Sequence, residues 1–200
     1  MSYIESSFFD EIQDLKANGE YNLALKKVNG ILCVDPDNKD ALLEVADILY
    51  LKGDIESASK PIDYILVKKN TDPMGLYVKG VFEMEKTNWS VAKKYLQEAL
   101  INSEDENPEI LRCYGLCEYW RGNKQKGIDF LESSFKSSSG LDAEVIYNLV
   151  EIYLLEHEYN NVNYYIQYYK NYRNNLNSFE KDLSFYDEKI DLFFEYLSVI

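Results

Sequence analysis

The chain has 200 residues, 46% of them apolar, with 4 prolines and 9 glycines; this excludes a disordered or loop-dominated protein and allows one or two domains with a continuous core. A net charge of −14 disfavours nucleic acid and anionic lipid as partners and favours a neutral or basic polypeptide. No run reaches the roughly 18 apolar residues of a membrane span, no apolar leader is visible, and the three cysteines, an odd count, suit a reducing compartment, so a cytoplasmic location is expected.

In chain order, the first clear pattern is "GEYNLAL" at Gly19, a turn opening a helical run with Ala24 inside it. It returns as "GDIESAS" at Gly53, "TNWSVAK" at Thr87, "GNKQKGI" at Gly122 and "HEYNNVN" at His157. The inner small or apolar residue falls at Ala24, Ala58, Ala92, Gly127 and Val162, in steps of 34, 34, 35 and 35. Each copy is preceded by another helical run. Its large apolar position is Phe8, Leu42, Leu76, Leu111 and Ile146, and its small position is Ile12, Ala46, Gly80, Gly115 and Val150. A further position late in the second run holds Ile31, Ile65, Ala99, Ser134 and Tyr169. Small residues at such positions let paired helices approach closely.

Local signals mark the ends of these runs. Asp72-Pro73 and Asn107-Pro108 each put a capping acceptor before a proline suited to the first helical position. Gly19, Gly53 and Gly122 stand where the turn between paired helices favours positive φ. Pro61 falls inside the second run of the second copy, so that helix either kinks there or starts late with Ser59 as its N-cap; the register of Ala58 favours the kink. Cys113 and Cys117 lie four apart on one helical face with no histidine near, as buried small hydrophobes do.

A period near 34 residues built from two helices resembles the tetratricopeptide repeat (TPR). The resemblance implies an all-α, right-handed α-α superhelix, a solenoid of about five helix hairpins over residues 1–176, with units near 5–38, 39–72, 73–106, 108–141 and 143–176. Residues 177–200 then form a C-terminal capping helix, starting at about Ser178. Its stripe is Phe179, Leu183, Tyr186, Ile190, Phe193, Leu197 and Ile200, while Phe185, Leu192, Phe194, Tyr196 and Val199 lie off it. That surplus predicts an apolar strip near Phe194 and Val199, covered by a second copy or a partner.

No phosphate loop, nucleophile motif or zinc spacing appears, and the one histidine, His157, sits in a turn. Neither catalysis nor a cofactor or metal is expected. The TPR resemblance implies instead a concave inner wall lined by the first helix of each hairpin. By position this wall holds Phe9, Gln13, Asp47, Tyr50, Tyr77, Met84, Arg112, Tyr119, Trp120, Tyr147 and Glu151. The clamp with which some TPR proteins grip acidic chaperone tails is absent, because its positions carry Phe9, Gln13, Glu44, Met74 and Val78. The expected role is a non-catalytic protein-interaction scaffold taking a neutral to basic peptide with apolar anchors. The alternative is a homodimer formed through the last helix.

Overall fold

The computed structural model describes residues 3–178 and 182–199, with side chains described from residue 8 onward. Among them are eleven α-helices and one 3-10 turn, and the one β feature is an isolated bridge between Asp142 and Asn177. The helices are α1 Tyr3–Ala17, α2 Tyr21–Val34, α3 Lys39–Leu51, α4 Ile55–Lys68, α5 Pro73–Glu85 and α6 Trp89–Asn102. They continue with α7 Pro108–Trp120, α8 Lys124–Ser137, α9 Ala143–Leu155, α10 Tyr159–Tyr172 and α11 Leu183–Val199. The chain forms two compact units, Met1–Thr87 and Asn88–Ile200, which are described separately.

Short polar caps start the first helix of four successive hairpins. Asn38, Asp72, Asn107 and Asp142 accept hydrogen bonds from backbone N–H groups two or three residues on, satisfying donors that the helix cannot. Proline follows at Pro73 and Pro108, as the sequence predicts. The turns inside the hairpins pass through the left-handed region at Gly19, Gly53, Thr87, Gly122 and His157. Three are the predicted glycines; Thr87 and His157 adopt the same conformation without glycine's freedom.

α4 runs unbroken through Pro61 and is capped by Asp54 rather than Ser59, so the late start is not adopted. The Asp54 carboxylate accepts from Ser57 N–H, which fixes the helix start one turn and a half before the proline.

In the first unit, Ile12, Ala24, Val28, Ala41 and Ile48 form one apolar cluster, and Ala46, Ala58, Ile62, Ile65 and Phe82 another. In the second unit the core runs from Tyr119 and Leu131 through α9 and α10 to Tyr186 and Ile190 of α11. Ala92 and Ala99, the small residues of the third copy's second helix, are fully buried. Cys113 and Cys117 are buried as well, and burial pushes the Cys117 thiol up to about 12.

The chain end differs from the expectation. α11 begins at Leu183, not near Ser178. Residues 173–178 are used otherwise: Arg173–Asn175 make a 3-10 turn, Asn177 bridges back to Asp142, and Ser178 Oγ donates to Glu144 at 3.0 Å. Phe179 and Ile200, the ends of the expected stripe, lie outside the described residues. Phe185, expected off the stripe, packs on Tyr147 of α9, with ring centroids 6.3 Å apart.

Candidate functional site

The first unit brings its expected wall residues onto neighbouring helices. Gln13 Nε2 of α1 donates to Glu44 Oε1 of α3 at 2.8 Å. Lys16 reaches the same helix, with its ammonium 2.9 Å from Glu44 and 2.5 Å from Asp47. Burial works to lower the Lys16 pKa, but the hydrogen bonds to Asp47 and Glu44 outweigh it and hold the ammonium above its ordinary value. From α3, Tyr50 donates to Glu85 of α5 at 2.9 Å and stacks on Phe82, 5.7 Å between centroids. Phe9, Tyr50, Tyr77 and Met84 are half-buried, while Gln13 and Asp47 are exposed. All six expected residues of this unit therefore offer some surface, cross-braced by Lys16, Glu44 and Glu85.

In the second unit the expected residues fare differently. Arg112 is only 4% exposed and is held by Glu109 through two hydrogen bonds and by Asn148 Oδ1 at 3.1 Å. Tyr119 is 5% exposed, and its hydroxyl donates to Glu156 at 2.6 Å. Burial foremost, and Glu156 next, push its phenol above the ordinary range. Tyr147 is covered by Phe185, Tyr186 and Phe193 of α11, and burial with Glu151 beside it raises its phenol to about 12. Glu151 is half-buried and raised by that burial. Arg112 and Tyr119 therefore serve packing, each held by a group of α9 or the turn after it, whereas Tyr147 and Glu151 keep part of their surface. Trp120 stays 48% exposed.

Three features of this unit escape the repeat pattern. Trp89, at the start of α6, stacks on Trp120 at 6.3 Å with an interplanar angle of 26°. Beside them Glu118, fully buried, accepts from Lys126 and Asn123 at 2.7 Å, and from Lys93 and Tyr114 at 3.0 Å; Arg121 lies 3.1 Å away. The only sequence signals were a tryptophan at each of two helix ends and a run of cations with one acid among them. Asp142 and Glu144, both buried, form the third feature, where α9 meets the segment after α10. Burial and the neighbouring Glu144 raise the Asp142 carboxyl to about 7.

Among the described residues no group of three or more His, Cys, Asp and Glu could hold a metal ion, and no helix is long and apolar enough to cross a membrane. An open depression of about 370 Å³ on α10 is lined by amides and tyrosines, including Asn163, Tyr164, Gln167 and Tyr172.

No family model matches the sequence, and no curated protein matches it. Solved structures do match. A tetratricopeptide repeat protein from Parabacteroides merdae superposes with a TM-score of 0.69 at 16% identity, over 92% of this chain and 70% of that one. The chain has the TPR fold. PilW, a type IV pilus biogenesis factor, gives a TM-score of 0.74 at 17% identity, over 88% of this chain and 81% of PilW. A chain of the APC/C hetero-tetramer Cut9–Hcn1 gives 0.70 at 15% identity, over 77% of this chain and 31% of that one. Against the TPR expectation, the wall residues of the first unit all keep some surface, and in the second unit Arg112 and Tyr119 are buried while Trp120, Tyr147 and Glu151 are not.

Phe194 and Val199, the strip expected on α11, are both exposed. Leu192, Tyr196 and Val199 are exposed at helical spacing, with Val199 at 86%. Phe194 lies under the Lys170 ammonium, 3.9 Å from its centroid, and is already partly served by a cation–π contact.

Proposed function

We propose that this protein is a non-catalytic, cytoplasmic protein-interaction scaffold whose first unit takes a polypeptide on the wall formed by α1, α3 and α5. The observation that carries this reading is the set Phe9, Gln13, Asp47, Tyr50, Tyr77 and Met84, all accessible in part on those three helices. The fold supports it by analogy, since one similar structure is solved in a hetero-tetramer with another polypeptide. Rigid aromatics supply contact area at low entropic cost, so they carry most of the affinity. Asp47 and the other carboxylates guide approach and reject acidic sequences. A neutral to basic peptide with apolar anchors fits that surface.

The test uses short synthetic peptides in which one leucine or phenylalanine anchor is flanked by lysines, by glutamines or by glutamates. Anisotropy with the full chain should show the lysine and glutamine peptides bound and only moderately weakened by salt. Tyr77→Ala should weaken them more than Asp47→Asn does. Binding of those peptides that ignores Tyr77→Ala, or that collapses with salt, would sink the proposal.

Self-association is the second reading, and the exposed run Leu192, Tyr196 and Val199 favours it. Its contact set is Phe194 and Val199, with Leu192 and Tyr196 beside them on the same helix. Light scattering at micromolar concentration should give a dimer mass that Tyr196→Glu returns to monomer; a monomeric mass throughout removes this reading.

A further inference from the structure

The second unit carries a surface opposite in character to the wall of the first. We infer that the corner formed by Trp89, Trp120 and Arg121, backed by Lys93 and Lys126, docks an acidic polypeptide segment with an apolar or aromatic anchor.

The corner is held together by contacts on three helices. Trp89 of α6 and Trp120 of α7 stack on one another, and Tyr119 meets Trp120 edge-on at 5.2 Å. The next residue, Arg121, donates from Nε to Ser90 Oγ at 3.2 Å, so the guanidinium lies alongside the start of α6 that carries Trp89. Its other end touches Glu118, where Lys93 of α6 and Lys126 of α8 also converge. Three cations share one carboxylate, which leaves a local surplus of positive charge in a chain whose net charge is −14. The nearby Glu156 does not cancel it, because Lys124 lies 2.7 Å from that carboxylate.

Burial makes the surplus face outward. Glu118 is fully covered, whereas the side chains of Lys93, Arg121 and Lys126 are 24%, 29% and 50% exposed. An approaching chain therefore meets the cations and not the acid beneath them. Exposed tryptophan beside arginine is the composition that dominates binding hot spots, and a fixed guanidinium suits a carboxylate bidentately. The ring pair supplies the anchor site and the cations select the flanking charge. A nucleic acid is the poorer fit, because a long polyanion must also pass over the acidic remainder of the chain.

This surface lies in a different unit from the wall proposed above and has the opposite charge preference, so the two succeed or fail separately. The chain contains two tryptophans and both are at the corner, so their fluorescence reports it directly. The experiment titrates the full chain with three probes: the glutamate-flanked phenylalanine peptide, its lysine counterpart and oligothymidylate. The glutamate peptide should change the tryptophan emission saturably, and the other two should not. By anisotropy of labelled glutamate peptide, Trp120→Ala should weaken binding about tenfold or more. Lys126→Gln and Arg121→Gln should each weaken it several-fold, with unchanged circular dichroism showing that the fold persists. Tyr77→Ala in the other unit should leave it alone. An equal response to the lysine peptide, competition by oligothymidylate, or indifference to Trp120→Ala would each overturn the proposal.

Discussion

Glu118→Ala should destabilise the second unit by about 3 kcal/mol. Its carboxylate is the common acceptor for Lys93, Lys126, Asn123 and Tyr114, and Arg121 pairs with it as well. Burial on its own would raise the carboxyl; the hydrogen bonds from Lys126, Asn123, Lys93 and Tyr114 overcome that and hold it well below the ordinary glutamate range. Removing one cation leaves the others in place, so Lys126→Ala should cost only about 1 kcal/mol. Removing the acid takes their shared acceptor from all of these groups at once and leaves three cations crowded together. The folded state binds the Glu118 proton more weakly than the unfolded chain does, so the stabilisation is complete at neutral pH. It is lost progressively as pH falls below the ordinary value of 4.5. Denaturant melts followed by tryptophan emission read this unit alone, since Trp89 and Trp120 both belong to it. The gap between wild type and Glu118→Gln should close as the pH is lowered through that range. Equal midpoints at neutral pH would show the network to be energetically idle.

Much of the fold was legible because the repeat is written in residues that geometry constrains tightly. The turn position must accept positive φ, and Gly19, Gly53, Thr87, Gly122 and His157, which recur at the repeat's period in sequence, all adopt it. The caps were legible where proline followed them, at Asp72 and Asn107; Asn38 and Asp142 do the same work without that flag. Hydrophobic pattern placed the last helix, but not its start, because the bridge from Asn177 to Asp142 is a backbone pairing that no local spacing announces.

The candidate site was legible only in part. A repeat register assigns each side chain a direction on its own helix, and that was enough for Gln13, Asp47 and Tyr50. It does not say which directions other parts of the chain cover. Tyr147 has the right position for a wall, yet α11 places three aromatic rings over it. Arg112 has the right position too, and is consumed by Glu109 and Asn148. The Trp89–Trp120 pair joins residues that no repeat position relates; only the packing of α6 beside α7 brings them together.

Gly127→Ala should destabilise the second unit by a net of about 2 kcal/mol, against the gain that helix propensity alone predicts. Gly115 and Gly127 face each other across the α7–α8 hairpin, at two repeat positions where small residues allow close approach. Those positions hold Ile12 with Ala24 and Ala46 with Ala58 in the first unit, and Gly115 with Gly127 and Val150 with Val162 in the second. Only the α7–α8 pair has glycine at both. A Cβ at Gly127 would sit 2.6 Å from Tyr119 Cβ, 2.7 Å from Tyr119 N and 2.8 Å from Gly115 O. Two of those atoms are backbone, so no rotamer change relieves the contact, and α7 and α8 must separate. Separation pulls Tyr119 and Leu131 out of register with the core they share with α9. That loss exceeds the roughly 1 kcal/mol by which alanine outperforms glycine inside a helix. Gly115→Ala should cost less, because its nearest contacts are 2.9 Å to Gly127 O and 3.1 Å to Leu131. Once the helices have parted for one methyl, the second needs little more room, so the double variant should fall short of additivity. Tryptophan-monitored melts of the two singles and the double decide the matter: a Gly127→Ala midpoint above wild type would mean that the helices part freely and that glycine there answers no packing demand.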